Sequence, residues 1–308
     1  MKKFFLLGVM VCAIGMFTAC KENSEKTSLE RDNLHGKVKS AKVSFYEAQV
    51  KFGEVQAGEL KGNYKHPLYY DWGEGCIIVT NYDENGMSTC TDYYDDDMEL
   101  AGKSVYTFEN RKLIDWKSYD KDGELVVENM IVFDENTGKE KEQFLTLYLK
   151  YDSSSYHYLF TYDNEGTLHG EAYKKDSLTD KWSYKQVKNN GKLQKAIRNS
   201  EQGDIINIYD DNERVVSMSN GITGDSLSYV YNENGDVEQM TETKYEYKDD
   251  NYTMSFDSDN DAKPERVRKT TEYKFEYEYD NHKNWTKRIT YKGIKPIYIE
   301  EREIEYYK

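Results

Sequence analysis

One phrase recurs along this 308-residue chain and limits what it can fold into: an aromatic residue, Asp or Asn, a polar pair, usually Gly, then an aliphatic restart. It reads Tyr82-Asp83-Glu84-Asn85-Gly86, Tyr119-Asp120-Lys121-Asp122-Gly123, Phe133-Asp134-Glu135-Asn136-Thr137-Gly138 and Tyr162-Asp163-Asn164-Glu165-Gly166. Further copies are Lys188-Asn189-Asn190-Gly191, Tyr209-Asp210-Asp211-Asn212, Tyr231-Asn232-Glu233-Asn234-Gly235 and Tyr279-Asp280-Asn281-His282. Asn-Gly and Asp-Gly supply the positive φ that tight hairpin turns require, and the preceding Asp or Asn caps the turn. Several successive phrases are separated by about the length of two strands and two turns, the self-similarity of a repeat architecture.

Between the turns the pattern has period 2. Tyr273, Phe275, Tyr277 and Tyr279 share one face while Lys274, Glu276 and Glu278 share the other; Leu145, Leu147, Leu149 and Tyr151 alternate in the same way. This is the pattern of half-exposed antiparallel strands. No segment shows a helical stripe, and only three prolines interrupt pairing. With 29 Tyr and 11 Phe but only 37% hydrophobic residues, the chain builds its apolar surface largely from tyrosine. That amphipathic residue suits thin, partly wet sheets. The prediction is an all-β fold, an elongated antiparallel meander of β-hairpin repeats over residues 34–308, in an open or partly curled sheet.

The N-terminus carries an address. Lys2 and Lys3 precede an uncharged run from Phe4 to Phe17, then Thr18, Ala19 and Cys20. A run of this length fits a signal-peptide core and falls short of the roughly 20 residues of a spanning helix. Phe17-Thr18-Ala19-Cys20 resembles a lipobox, with Phe in place of the commoner Leu, and this implies lipidation of Cys20 after removal of residues 1–19. The alternative is an ordinary signal peptide ending beside a cysteine. Residues 20–33 are polar and aperiodic and read as a flexible tether. Lys21-Glu22 is similar to the export signal that sends Bacteroidetes lipoproteins to the cell surface, so the expected location is the outer membrane, lipid-anchored and outward-facing. A plain charged tether is the alternative.

The net charge of −15 argues against nucleic acid and against an electrostatic grip on anionic lipid. Cys76 and Cys90 remain after Cys12 leaves with the signal and Cys20 is lipidated. They flank a predicted hairpin asymmetrically, leaving open a bridge or two buried thiols.

The Tyr-Asp-x-x-Gly phrases resemble YD (RHS-type) repeats. Leu34-His35-Gly36-Lys37-Val38-Lys39-Ser40 and the closing run from Tyr277 through Asp280-Asn281-His282-Lys283-Asn284-Trp285-Thr286 to Arg288 look like the two ends of a group of uncharacterised Bacteroidetes lipoproteins with degenerate YD-like repeats. In that group the last phrase carries Gly where Lys283 stands, which leaves the turn type at that position open. The resemblance covers most of residues 34–308 and implies a fold and an address; it brings no activity.

Motifs for chemistry are missing: there is no GxSxG, HExxH, Walker A loop or GxGxxG. His35, His66, His157, His169 and His282 are scattered and read as surface or turn residues. Asp257, Asp259 and Asp261 alternate as in the opening of a calcium loop, but Ala262 and Arg268 stand where such a loop needs Gly and Glu. Asp95-Asp96-Asp97 is a weaker version. No cofactor is implied. Trp116, Trp182 and Trp285 lie in or beside strands, where they could stack on sugar rings or pack across strands. The leading expectation is a non-enzymatic, envelope-anchored protein presenting a sheet to a glycan or a protein partner. A polysaccharide hydrolase with two carboxylates among the 57 acidic residues is the second, and a structural factor of the envelope is the third.

Overall fold

The computed structural model describes residues 26–61, 68, 76–149, 152–201, 203–247 and 266–308. Among these residues lie one short helix, α1 (Ser28–Arg31), and nineteen strands. In chain order these are β1 (Val38–Lys51), β2 (Glu54–Leu60), β3 (Ile77–Tyr82), β4 (Ser88–Tyr94), β5 (Leu100–Glu109), β6 (Lys112–Asp120), β7 (Leu125–Phe133), β8 (Glu140–Leu149), β9 (Asp152–Tyr162) and β10 (Leu168–Lys174). There follow β11 (Ser177–Asn189), β12 (Lys192–Ser200), β13 (Ile205–Tyr209), β14 (Val215–Asn220), β15 (Ser226–Tyr231), β16 (Val237–Tyr247), β17 (Arg266–Tyr279), β18 (Trp285–Lys292) and β19 (Lys295–Tyr306). The all-β expectation holds.

The turns explain why the strands stop where they do. At Asp83, Asp95, Asp120, Asp163, Asp210, Asn232 and Asp280 the side-chain Oδ1 accepts the backbone N–H groups two and four residues ahead, at 2.8–3.1 Å. One side chain thus replaces the ladder bonds that the reversal removes. The residue three places ahead is left-handed each time: Gly in four turns, but Met98 (φ 64), Glu213 (φ 61) and Lys283 (φ 68) in the others. The turn holding Lys283 is therefore the same turn as its Gly-bearing relatives. Asp95 also belongs to this set, so the Asp95–Asp97 run is a hairpin turn whose first carboxylate is occupied by backbone donors. Just beyond several of these turns the returning strand gains one residue: Tyr82 pairs with Ser88 but Asn81 with Cys90, and Tyr119 with Leu125 but Ser118 with Val127. Such bulges sharpen the local twist and bend.

The chain forms two compact units. One holds residues up to Thr161, Glu171–Thr179 and Phe275–Lys308; the other holds Tyr162–Gly170 and Asp180–Lys274. In the first, the ladder runs from β10 through β9, β8, β7, β6, β5, β4 and β3 to β1, then β19, β18 and β17. In the second it runs from β10 through β11 to β16 and ends on β17. Both ladders end on the same two strands. The sheet is therefore cyclic, a closed antiparallel β-barrel of 18 strands, with β2 folded back on β1 as a side hairpin. This corrects the expectation of an open or partly curled meander. The deciding contact is β1 against β19, paired from Val38↔Tyr306 to Glu47↔Tyr298. An open sheet would leave two edges of unpaired N–H and C=O groups, and closure removes both.

In each unit one face of the ladder is the more buried. In the first it carries Phe45, Tyr82, Ser104, Asn129, Leu145, Tyr158, Phe275, Trp285 and Glu300. In the second it carries Leu168, Ala196, Leu227 and Met240.

Because Lys283 holds a backbone conformation that L-residues pay to adopt, Lys283→Gly is expected to raise stability by about 0.5–1 kcal/mol, read as a higher urea midpoint. Backbone N–H donation from Thr167 holds the Asp163 carboxyl below its ordinary 3.8. A depressed carboxylate stabilises above its unfolded pKa, and that contribution is lost as pH falls below about 3.8 through the folded value. Asp163→Ala should flatten that part of the acid limb of the stability curve. Asp163→Asn should retain most of the neutral-pH stability, since Asn232 makes the same turn natively.

Candidate functional site

The densest set of specific contacts lies in the first unit, where β1 meets β19. It begins at the N-terminal side, within the segment read as a tether. Thr27 caps α1: Glu30 N–H donates to Thr27 Oγ1 at 3.2 Å, and Thr27 N–H donates to Glu30 Oε2 at 2.7 Å. This holds a single helical turn against the β3–β4 hairpin. Leu29 N–H donates to the Gly86 carbonyl (3.1 Å), and Ser88 N–H donates to Ser28 Oγ (2.9 Å). Leu29 and Leu34 pack with Val38, Ala41 and Tyr82, backed by Ile304 and Tyr306. A Cβ on Gly86 would meet Leu29 Cδ1 at 3.1 Å, so the left-handed glycine also makes room for the helix.

The two distinctive end motifs of the sequence interlock here. His35 N–H donates to Asn284 Oδ1 at 2.7 Å, and Asn284 Nδ2 donates back to the His35 carbonyl at 2.9 Å and to the Tyr306 hydroxyl at 2.8 Å. Asn284 is 1% exposed, so these bonds are made out of water. The Tyr306 hydroxyl in turn donates to Asp280, and its ring stacks on His282 with centroids 4.2 Å apart. Gly36 is left-handed (φ 85), and a Cβ there would meet His282 and Tyr306 at 3.2–3.3 Å. Burial raises the Asp280 pKa, but hydrogen bonds from Tyr306, Asn284 and His282 outweigh it and keep the carboxyl below the ordinary value. Burial and the same Asp280 contact push the Tyr306 phenol up to about 12. Both groups are thereby fixed in the ionisation states that bond each other.

Beside this clasp lies a buried ion pair. Glu300 is fully buried, and Arg288 grips it with two bonds, Nε to Oε2 at 2.5 Å and Nη2 to Oε1. The register Arg288↔Glu300 puts them directly opposite on β18 and β19. The Arg288 guanidinium sits 4.9 Å from the Trp285 ring centroid, and that of Arg302 sits 3.5 Å from the same ring. Tyr82 donates to Asp32 Oδ2 at 2.7 Å; burial and the adjacent carboxylate raise its pKa strongly, so it stays a donor. Every group in this cluster is engaged in holding another. The arrangement joins the first and last strands; it offers no free nucleophile or base to a substrate.

The three tryptophans are not gathered into one platform. Trp285 is 3% exposed and its ring is flanked by two guanidiniums, leaving no face for a sugar. Trp116 is half-buried on β6, opposite Tyr106 and Asn129. Trp182, in the second unit, lies against Gly170 and under Arg198, 5.0 Å from its centroid. Cys76 and Cys90 are free thiols: Cys90 pairs with Asn81, while Cys76 N–H reaches the Tyr94 carbonyl, which separates them along the strands. Cys20 and the calcium candidates Asp257, Asp259 and Asp261 lie outside the described residues. Among the described residues no group of three or more His, Cys, Asp or Glu side chains is placed to hold a metal, and no helix is long and apolar enough to cross a membrane.

A contact set that single-residue reading missed lies on the more exposed face of the first unit. Phe144 stacks on His157 (4.4 Å, 8°), which leans on Tyr173 (6.5 Å). Phe144 and His157 turn ring faces to one another, so this row is cross-strand packing. The same exposed face carries ion pairs in the body of its strands: Lys42–Glu303 (2.8 Å), Lys103–Asp92 (3.5 Å), Lys117–Glu128 (3.1 Å) and Lys287–Glu278 (3.4 Å).

The fold thus defines the class: a closed, all-antiparallel β-barrel. No family model matches the chain, and no curated protein does. Similar solved structures include a porin-like protein from Bacteroides uniformis ATCC 8492, 9% identical, with 87% of this chain and 96% of that one covered and a TM-score of 0.35. Another is a porin-like protein from Bacteroides vulgatus ATCC 8482, 11% identical, with 88% and 98% covered and a TM-score of 0.30. Likenesses this remote carry no function across. The identification with YD (RHS-type) repeat lipoproteins does not stand. No family model supports it, and the hairpins that suggested it belong to a ladder that closes through β1 and β19.

Removing the Asn284 side chain strands the His35 backbone groups in the clasp, so Asn284→Ala should cost about 2–4 kcal/mol in urea unfolding. Glu300→Ala should cost about 3–5 kcal/mol by leaving Arg288 buried and unpaired, whereas the double change Arg288→Met/Glu300→Leu should recover most of that loss.

Proposed function

We propose that this protein is a non-enzymatic β-barrel of the outer membrane, attached through lipid on Cys20, with its wall standing in water and its sheet presented to a partner. The supporting observation is the charged, more exposed face of the first unit. A transmembrane barrel turns an apolar band toward lipid, and a Lys near the bilayer midplane costs about 2–4 kcal/mol. Four such lysines, Lys42, Lys103, Lys117 and Lys287, together would cost on the order of 10 kcal/mol, comparable to the whole stability of a typical domain. Their carboxylate partners would add to that cost. A face carrying these pairs favours water over hydrocarbon. Attachment then falls to the N-terminus, where the lipobox-like Phe17-Thr18-Ala19-Cys20 supplies it. Several acyl chains on one cysteine anchor stably where a single chain would not.

The test is the behaviour of the chain with and without its anchor. The Cys20→Ser variant should be released from the membrane fraction and remain monodisperse in buffer without detergent, while the native chain labels with radioactive palmitate and fractionates with the outer membrane. If the Cys20→Ser chain stays in the membrane after a carbonate wash, or needs detergent to stay dispersed, the wall spans the bilayer and the proposal fails.

A further inference from the structure

Residues 27–34, in the segment expected to be a tether, are docked on the first unit. Ser28 and Leu29 of α1 are buried, which a segment needed only for reach has no cause to be. Leu29 N–H donates to the carbonyl of Gly86, at the tip of the β3–β4 turn, and a Cβ on that glycine would meet Thr27 Cβ at 3.5 Å. Ser28 Oγ lies 3.1 Å from Ser88 Oγ on β4. The Arg31 guanidinium reaches over to β5, 5.9 Å from the centroid of the Phe108 ring. Tyr82 on β3 holds Asp32, and Leu34 N–H donates back to the Leu29 carbonyl at 2.9 Å. Three strands thus share in fastening this one helical turn.

Antiparallel alternation sorts the turns of the first unit into two ends. The turns at Asp83–Gly86, Asn110–Arg111, Asp134–Gly138 and Asp280–Lys283 close one end, together with α1 and the start of β1. The turns at Phe52–Gly53, Asp95–Met98, Asp120–Gly123 and Gly293–Ile294 close the other. Thr27 stands seven residues after Cys20, a stretch that spans at most about 24 Å fully extended. Without the docking, the chain from Cys20 to Val38 would reach up to about 60 Å. β1, 14 residues long, runs about 46 Å from the first end toward the second, well beyond the shorter reach.

We propose that the docked α1 turns the β3–β4 end of the first unit toward the anchoring bilayer and holds the Phe52–Ile294 end away from it. The inference rests on lipidation of Cys20 and adds a direction to the attachment. The near turns suit a headgroup layer, since their exposed tips are polar: Asn85, Asn110, Asn136 and Asn281. The far turns carry the most exposed large apolar side chains among the described residues, Phe52 (103%) and Ile294 (99%). Taken alone, those two tips would suit insertion into a bilayer. The short reach opposes it: with Thr27 held within about 24 Å of the lipid, the far tips meet the same bilayer only if the strands lie nearly flat on it. A partner approaching from outside the membrane therefore meets the β4–β5, β6–β7 and β18–β19 turns first.

The test is energy transfer from a single dye-labelled cysteine to an acceptor-dye lipid. It uses the lipidated full chain on vesicles of phosphatidylethanolamine and phosphatidylglycerol. Cys76→Ala and Cys90→Ala remove the native thiols. Asn136→Cys and Asp122→Cys then mark the turns at the two ends of β7, about 30 Å apart along the strand. Transfer from the Asn136→Cys label should exceed that from the Asp122→Cys label at least about twofold, given that separation and the usual strand tilt. Inserting about a dozen Gly and Ser residues between Ser24 and Glu25 adds up to ~40 Å of reach and should bring the two signals together. Leu29→Asp, which expels α1, should do the same; if circular dichroism shows that its strands are lost, the insertion carries the comparison. Equal transfer from the two sites, greater transfer from Asp122→Cys, or a difference that survives the insertion overturns the proposal. Absence of palmitate label on the chain would overturn the anchor reading and this inference together, whereas equal transfer in a labelled chain overturns this inference alone.

Discussion

Backbone N–H and C=O groups at the edge of a sheet must find partners, and in this protein the two ends of the ladder find each other. β1 and β19 pair along most of their length, and the rest of the fold depends on that contact. The seam is secured by more than backbone bonds. Asn284 reaches across to His35, Tyr306 bridges Asn284 and Asp280, and α1 packs its leucines beside them. Arg288 and Glu300, paired on β18 and β19, carry a bidentate charge contact into a place where only its exact register is tolerable. A slip of one residue between these strands would put the two side chains on opposite faces.

A long antiparallel ladder also needs a reliable way to turn. Here one Asp or Asn per turn accepts two backbone donors, and a left-handed residue follows three places on. The device tolerates Met98, Glu213 and Lys283 at the position that favours Gly, because the carboxylate bonds and the ladder on both sides define the reversal. The accompanying bulges add twist, as a sheet that must meet its own beginning requires.

The two faces of the ladder divide the chemistry. The buried ion pair and the tryptophans lie on the more buried face, where the Arg288 guanidinium bonds Glu300 and the Tyr82 and Tyr306 hydroxyls donate to Asp32 and Asp280. Lysine–carboxylate pairs occupy the more exposed face of the first unit.

Much of this was legible in the residues themselves. Alternation of period 2, the Tyr-Asp-x-x-Gly phrases and the lack of a helical stripe determine antiparallel strands and the place of most turns, because both are local properties of the backbone. Even the importance of Leu34-His35-Gly36 and Asn284-Trp285 could be seen as distinctive text. What those motifs do could not, since Asn284 meets His35 across almost the whole chain, and no local rule relates residues so far apart. Closure was misjudged for the same reason: whether β1 pairs with β19 or stays open is decided by accumulated twist and the demand to satisfy edge groups. Tertiary structure alone also decided the exposure of the tryptophans, the separation of Cys76 from Cys90, and the register that sets Arg288 opposite Glu300. Each of these depends on register between strands, and register is a property of pairs of segments, set only when both are in place.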